Sequence, residues 1–352
     1  MELWHFILWS ALKVIVVTVL LLMCVAYTVL LERKLVGRIQ NRWGPSRVGP
    51  FGLLQPLVDG AKSFLKEDLT PTGVYKPLYL LAPIIAFGCS AISIAVVPFG
   101  EPDVGPKGFP LFQISNVNIG LLVVLGVTSI GVYGIALAGW SSNSKYSLLG
   151  SLRASAQLIS YELSLGLSLV GVVLWTGSLN LRDIVARQAE WGIASWNIVG
   201  AGQIVAFFIY LTAAFAETNR APFDLPEAES ELTGGYHTEY SSMKFAMFFM
   251  AEYGNMIMVG CLATIMFLGG WTSPFGYKII PPPQNIVVHA LMPIFWFAFK
   301  VFCFLFLYVW VRGTLPRFRY DQLMNFGWRY LMPLAILNIV ATSLWLAYKQ
   351  PS

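Results

Sequence analysis

Eight apolar stretches, each about 20 residues or longer, dominate this sequence. A helix needs roughly 20 apolar residues to cross a hydrocarbon core of about 30 Å. The stretches cover residues 6–31, 77–99, 117–139, 156–175, 196–216, 243–269, 286–311 and 329–348. Only 12% of the residues are Asp, Glu, Lys or Arg, against roughly 25% in a soluble domain. The sequence therefore predicts an all-α integral membrane protein with about eight transmembrane helices.

Lys and Arg residues are distributed unequally between the two sets of alternate connections. The connections after the first, third, fifth and seventh spans, with Lys244 and Arg329 at the adjoining ends of the sixth and eighth spans, hold 16 of the 23 Lys and Arg residues, whereas the other connections hold 5. Because cytoplasmic loops carry such an excess, we predict an outside N-terminus and structured cytoplasmic loops at about 32–76, 140–155, 217–242 and 312–328. No internal repeat or low-complexity linker divides the chain, so residues 1–352 are assigned to a single polytopic domain.

The first cytoplasmic loop contains an amphipathic pattern. Over residues 51–67, apolar residues such as Leu57 and Leu65 share one helical face, and polar residues such as Gln55 and Asp59 share another. This pattern predicts a helix lying in the membrane interface. A loop helix packed on neighbouring subunits explains the pattern equally well.

Ligand sets for metals and motifs for phosphates are missing from the sequence. The four cysteines stand alone in apolar segments, the three histidines are scattered, and neither GxGxxG nor GxxxxGK[ST] occurs. The net charge of +5 is not arranged as a basic stripe with interleaved stacking aromatics. We therefore predict no metal site, no cofactor bound by this chain alone and no nucleic-acid partner.

Acidic residues are concentrated in and around the spans of the second half. Glu162 and Glu252 are each flanked by apolar residues, and a carboxyl group inside a membrane costs enough to mark a proton relay. Seven of the 18 acids fall between 217 and 252. Carboxylates at this density repel one another and share protons. A structural ion pair, a protonated hydrogen-bonded carboxyl, or a merely solvated acidic loop would explain these features without a proton pathway.

Basic residues are concentrated in a second cluster, at residues 30–56. Arg33, Arg38 and Arg42 could serve only as anchors to anionic lipid. That interpretation leaves unexplained Glu32, which adjoins Arg33 at the water boundary, and the Gly-Pro punctuation that defines the path of the loop. A structured polar loop that leads into an interfacial helix suits the entrance of an amphiphilic ligand.

Four blocks of this sequence resemble one family of membrane proteins along the whole chain. The blocks are ERKLVGRIQNRWGPSRVGPFGLLQPLVDGAKSFLKED, GWSSNSKYSLLGSLRASAQLISYE, AETNRAPFDLPEAESELTGGYHTEYSSMKFAMFFMAEY and RGTLPRFRYDQLMNFGW. They are similar to the quinone-site subunit, the H subunit, of bacterial proton-pumping NADH:quinone oxidoreductase, respiratory complex I, which corresponds to mitochondrial NADH dehydrogenase subunit 1. The family more often has Asn at the position of Ser46, a small departure.

The resemblance implies a site and a role. A member of this family sits in the bacterial inner membrane with a periplasmic N-terminus, encloses a quinone chamber with peripheral-arm subunits, and couples quinone reduction to proton translocation. The residues at chamber positions are Arg33, Gln40, Arg42, Phe249 and Arg317. The residues on the proton-coupling chain are Glu162, Glu217, Asp224, Glu227, Glu229, Glu231 and Glu252.

The same resemblance implies the substrate and the partners. Quinone, ubiquinone or menaquinone, is the substrate, and FMN and iron–sulfur clusters belong to partner subunits. The expected partners are peripheral-arm and small membrane-arm subunits and membrane lipid. Two alternatives remain at this point: the membrane anchor of an energy-converting hydrogenase, and a stand-alone proton- or sodium-coupled transporter.

Overall fold

The computed structural model describes residues 2–101, 112–224, 234–276, 278 and 286–349, and every regular element in these ranges is helical. In chain order the helices are α1 Glu2–Ile39, α2 Gln55–Leu65, α3 Lys76–Ser93, α4 Gly120–Ser141, α5 Lys145–Thr176, α6 Leu181–Arg187, α7 Ile204–Glu217, α8 Ser242–Phe267, α9 Ile286–Thr314, α10 Tyr320–Phe326 and α11 Met332–Lys349. A π-helical turn at Gly327–Leu331 joins α10 to α11. The all-α membrane fold that the sequence predicts is confirmed.

The eight predicted spans all coincide with helices, although the fifth is short. Within the described ranges, seven helical segments are long and apolar enough to cross a membrane, with α10 and α11 counted as one. The eighth, α7, has only 14 residues, or about 21 Å. The predicted span began at residue 196, but Gly202 has a φ of 65° and turns the chain just before α7. Residues 177–203, which precede α7, instead fold as α6 and a series of hydrogen-bonded turns.

Helix α8 is the centre of the bundle and packs on α1, α3, α7 and α9. Every residue from 256 to 267 is buried. The peripheral helices α1 and α11 leave apolar side chains such as Leu8 and Leu344 uncovered. An uncovered apolar face is stable in lipid, because the hydrocarbon core of the bilayer is itself apolar. The bundle thus buries α8 inside the protein and turns α1 and α11 toward the bilayer.

Helix α2 confirms the predicted amphipathic helix. Its polar face turns toward the protein, since Arg33 of α1 donates to Asp59 at 2.6 Å and Ser242 of α8 donates to the Ser63 carbonyl at 3.0 Å. Its apolar face is uncovered, with Leu57 59% and Leu65 87% exposed. A helix that bonds the protein through its polar face and leaves an apolar row free is suited to the lipid interface.

Candidate functional site

Three of the predicted coupling residues line one cavity between the helices. Glu162 comes from α5, Glu217 from the end of α7 and Glu252 from α8. The other polar lining residues are Thr128, Thr218, Asn219, Tyr236 and Asn255. The cavity has a volume of about 40 Å³, enough for roughly three water molecules. The structure therefore brings together carboxyl groups that lie up to 90 positions apart in sequence, as the numbering of Glu162 and Glu252 shows.

The carboxyl groups differ in what surrounds them. Ser129 of α4 donates a short hydrogen bond to Glu162 Oε1. Tyr236 Oη donates to Glu252 Oε1 at 2.7 Å. Glu217 Oε2 is buried without a hydrogen-bond partner among the described residues. A buried carboxyl oxygen without a partner is costly, so Glu217 is the least satisfied of the three acids.

Arg220 links this cavity to a second carboxylate, Glu32. It lies three positions after the end of α7 and is 5% exposed. Its Nη1 lies 4.0 Å from Glu32 Oε2 and its Nη2 lies 3.7 Å from Glu252 Oε2. Its guanidinium group also stacks on the ring of Tyr253 at 4.1 Å. One arginine is thus shared between a carboxylate of α1 and a carboxylate of α8.

Glu32 is held by two further side chains. Tyr253 Oη donates to Glu32 Oε2 at 2.8 Å, and Arg312 of α9 donates a short hydrogen bond to Glu32 Oε1. Burial removes the water that would solvate a carboxylate, and these charge and hydrogen-bond partners offset that desolvation cost. Nearby, Arg317 donates to Asp224 Oδ2 at 3.2 Å. Acids and bases therefore alternate from α1 to α8 at the cytoplasmic end predicted from the sequence.

Gln157 of α5 positions the segment that carries Arg220. Its side chain is fully buried. Its amide donates to the carbonyl oxygens of Ala216 at 2.8 Å and Phe223 at 2.9 Å. The chain leaves α7 between these two carbonyls, so one side chain fixes both ends of the turn that presents Arg220.

A large basic opening lies on the other side of Glu32. Its volume is about 1220 Å³, and it lies between the end of α1, the loop before α2 and the end of α9. Arg33, Gln40 and Arg42 line it, together with Glu32 and Arg312. Glu32 and Arg312 therefore face the opening and also belong to the buried charge chain, the series Arg312, Glu32, Arg220 and Glu252.

The structure separates the remaining sequence-predicted chamber residues from this opening. Phe249 packs in an aromatic group with His237 and Phe245, at ring-centroid distances of 6.2 and 4.7 Å. Arg317 pairs with Asp224. Neither side chain belongs to the lining of the opening. Of the predicted coupling residues, Glu227, Glu229 and Glu231 lie outside the described residues.

His237 is uncharged at neutral pH. It lies in the loop before α8, with its ring against Tyr236 and Phe245. Burial lowers the pKa of His237 to about 4, because the charged imidazolium loses its hydration. His237 therefore adds no positive charge near the cavity.

Several residues of the charge chain were not predicted from the sequence. Glu32 had a weak signal, an acid within a basic cluster, and Arg220 had another, a lone base within the acidic segment. Tyr236 and Tyr253 gave no signal, because the partner of a tyrosine hydroxyl is decided by the fold. Within the described ranges, no group of three or more His, Cys, Asp or Glu residues could hold a metal ion.

These features define a class: a multi-pass α-helical membrane protein whose buried charges connect a basic opening to an acidic cavity between the helices. The NADH dehydrogenase family profile matches residues 12–343. The second H subunit of the NADH-quinone oxidoreductase of Koribacter versatilis is 63% identical to this chain, with 98% of each chain covered. The H subunit of the Leptospira biflexa NADH-quinone oxidoreductase is 48% identical, over 98% of this chain and 97% of its own. The second H subunit of the Geobacter sulfurreducens NADH-quinone oxidoreductase is 51% identical, over 94% of each.

The chain therefore belongs to the NADH dehydrogenase family. It is a multi-pass inner-membrane subunit of an NADH-quinone oxidoreductase, complex I. The extent of these matches favours this assignment over a hydrogenase anchor or a stand-alone transporter.

Proposed function

We propose that the basic opening forms part of the quinone chamber and that the buried charge chain couples quinone reduction to proton translocation. The observation that carries the proposal is the double contact of Glu32. This carboxylate lines the opening and also shares Arg220 with Glu252, which lines the acidic cavity. A change of charge in the opening therefore reaches the acids of the cavity through two buried ion pairs.

The distances around Arg220 suit a transfer of electrostatic influence. Both of its carboxylate contacts, at 4.0 and 3.7 Å, are longer than a direct hydrogen bond. Two unit charges 4 Å apart interact by about 4 kcal/mol at an effective dielectric of about 20. A small displacement of Arg220 toward one carboxylate therefore changes the proton affinity of the other by a useful amount.

In this proposal, quinone accepts two electrons and two protons to become quinol. The electrons come from iron–sulfur clusters of partner subunits, which receive them from FMN, also outside this chain. Arg33 and Arg312 stabilise the negative charge that develops on the quinone. The same negative charge attracts the guanidinium group of Arg220, which moves away from Glu252. Glu252 then gains proton affinity and takes a proton from Glu162 or Glu217 across the cavity. When Glu252 releases this proton in the next step, the proton moves onward.

The arrangement in the membrane follows the same proposal. The N-terminus is periplasmic, and the basic opening and its loops face the cytoplasm, where peripheral-arm subunits close the chamber. Small membrane-arm subunits and lipid cover the outer helices. Residues 1–352 act as one polytopic domain in this assembly, and quinone, ubiquinone or menaquinone, enters beside α1 and α2. The residues proposed to act on quinone or on protons are those predicted from the sequence, with Glu32, Arg220 and Arg312 added.

Glu217→Gln and Glu162→Gln test the coupling role. Each amide keeps the size of the side chain and cannot exchange a proton, so we expect proton translocation to fall by about tenfold or more. Electron transfer from NADH to an artificial acceptor that bypasses quinone should stay normal. Proton uptake into inverted vesicles measures the first quantity. Glu190→Gln, an exposed acid remote from the cavity, is the matched control. Normal pumping in both variants would refute the coupling role.

Arg33→Ala tests the chamber role. We expect the KM for a short-chain quinone to rise about threefold, equal to about 0.6 kcal/mol, the size of a partly exposed charge contact. Asp59→Asn removes the ion pair with Arg33 and keeps the arginine, so it separates positioning from charge. Arg38→Ala removes a neighbouring exposed charge that does not line the opening. Quinone kinetics equal to those of the unmodified enzyme in Arg33→Ala would return this residue to a lipid-anchor role.

A further inference from the structure

Lys300 lies near the middle of α9, and its ammonium group is enclosed by protein. The residue is 5% exposed. Its Nζ donates to the carbonyl oxygens of Leu268 at 2.6 Å, Gly270 at 3.0 Å and Thr272 at 2.8 Å. The ring of Trp196 lies 4.4 Å from the same atom. Three acceptors require three N–H donors, which only the charged ammonium has. This geometry favours the ammonium form of Lys300.

The adjacent end of α8 is capped by protein groups alone. The last four carbonyls of a helix have no partner within the helix. Here Thr264 accepts from the amides of Leu268 and Gly270 at 3.1 and 2.8 Å, Ile265 from Gln188 at 2.9 Å, Met266 from Asn197 at 2.7 Å, and Phe267 from the amide of Ile198 at 3.3 Å. Each of these four carbonyls is therefore satisfied without a water molecule or an ion.

The segment between this end and the acidic cavity offers little to carry a proton. Phe267 lies 15 positions after Glu252, about 22 Å along the helix. The intervening residues 256–267 are all buried and include no Asp, Glu, His, Lys or Arg. Lys300 therefore stands at the opposite end of α8 from the acidic cavity, on the outer side in the proposed orientation.

We propose that Lys300 and the capped end of α8 form a charge barrier that keeps protons and other monovalent cations from passing between the acidic cavity and the outer side. This inference rests on the proposed function in taking the cavity as a proton-holding site. Three converging carbonyl oxygens are ligands that would bind Na⁺ or hydronium. The ammonium form of Lys300 occupies them, and its charge repels a second cation.

The barrier has a consequence for the route of protons. Protons held by Glu162, Glu217 and Glu252 do not reach the outer side along α8.

The test uses the whole oxidoreductase reconstituted in phospholipid vesicles that contain a pH-sensitive dye. A potassium diffusion potential drives protons inward without NADH, so the passive leak is measured in the absence of turnover. We expect Lys300→Met to increase the leak at least fivefold and Lys300→Arg to keep it at the level of the unmodified enzyme. Lys13→Met, which removes a lysine from the α1 span, should leave the leak unchanged. Lys300→Met vesicles as tight as those of the unmodified enzyme would overturn the proposal.

A second variant covers the case in which Lys300→Met does not assemble. Lys300→Gln keeps two N–H donors and loses the charge, so leakage there supports the barrier and tightness overturns it. If neither assembles, hydrogen exchange of the unmodified enzyme decides. The amides of Ile198, Leu268 and Gly270 should resist exchange for hours, and exchange within minutes contradicts a sealed end. None of these measurements depends on proton pumping. A failure of the coupling role, which Glu217→Gln tests, is therefore distinguishable from a failure of the barrier.

Discussion

Replacing Arg220 with methionine is expected to disrupt the oxidoreductase more than any other single charge removal in this chain. The substitution leaves the carboxylates of Glu32 and Glu252 buried without their shared cation and removes the stacking partner of Tyr253. Breaking a buried ion pair costs about 3–5 kcal/mol. We expect little assembled complex on native gels, and quinone reductase activity at least tenfold lower in what assembles.

A rescue experiment separates charge from shape in this variant. Glu252→Gln in the Arg220→Met background removes the carboxylate that has lost its cation, since Glu32 still pairs with Arg312. Assembly should therefore recover in large part while pumping stays lost. Arg317→Met is the matched control, since its partner Asp224 is also buried but Arg317 itself is 41% exposed. It should cost about 1 kcal/mol or less. Equal amounts of complex in Arg220→Met and the unmodified enzyme would show that the buried pairs contribute nothing.

Gln157→Leu is expected to release the segment that follows α7. Leucine fills a similar volume, but it leaves the Phe223 carbonyl without a donor among the described residues and the Ala216 carbonyl with the distant Asn219 amide, at 3.4 Å. Each buried carbonyl without a partner costs about 1–3 kcal/mol. Glu217 and Arg220 would lose their fixed positions, so we expect faster hydrogen exchange over residues 218–224 and proton translocation reduced about tenfold.

Gln113→Leu provides the comparison for Gln157→Leu. Gln113 is also buried, and its amide donates to the Val96 carbonyl at 2.8 Å, remote from the acidic cavity. The Gln113→Leu substitution should lower the free energy of unfolding by about 1–3 kcal/mol without changing the number of protons moved per NADH. If both variants lose pumping equally, the effect is general destabilisation, and Gln157 has no special role in holding the site.

Particular residues show how far the sequence alone could lead. Glu162, Glu217 and Glu252 were predicted as coupling residues, and all three line one cavity. Arg33, Gln40 and Arg42 were predicted to border a chamber, and all three line one opening. Phe249 and Arg317 were grouped with them, but they lie outside that lining. The sequence can indicate which residues are anomalous in a membrane, but it does not indicate which of them share a space.

Helix boundaries illustrate the same limit. The apolar stretch 196–216 has the composition of a full span, yet its helix begins only at Ile204. Hydropathy reports only that a segment is apolar. Within 196–203 the side chains of Trp196, Asn197 and Gln203 are buried by protein, whereas Val199, Gly200 and Gly202 are exposed. Buried side chains such as Asn197 and Gln203, which bond neighbouring segments, allow irregular backbone at this depth.

The amino-acid sequence by itself determined that this chain folds in a bilayer, where its helices lie, and which charged residues are too costly to be there without a purpose. These properties are local, because burial of apolar groups and the cost of a charge depend on short windows of sequence. The tertiary structure alone decided that Glu32 meets Tyr253 and Arg312, which are 221 and 280 positions away. Helix packing brings such distant residues together, and the connection between the opening and the cavity exists only through that packing.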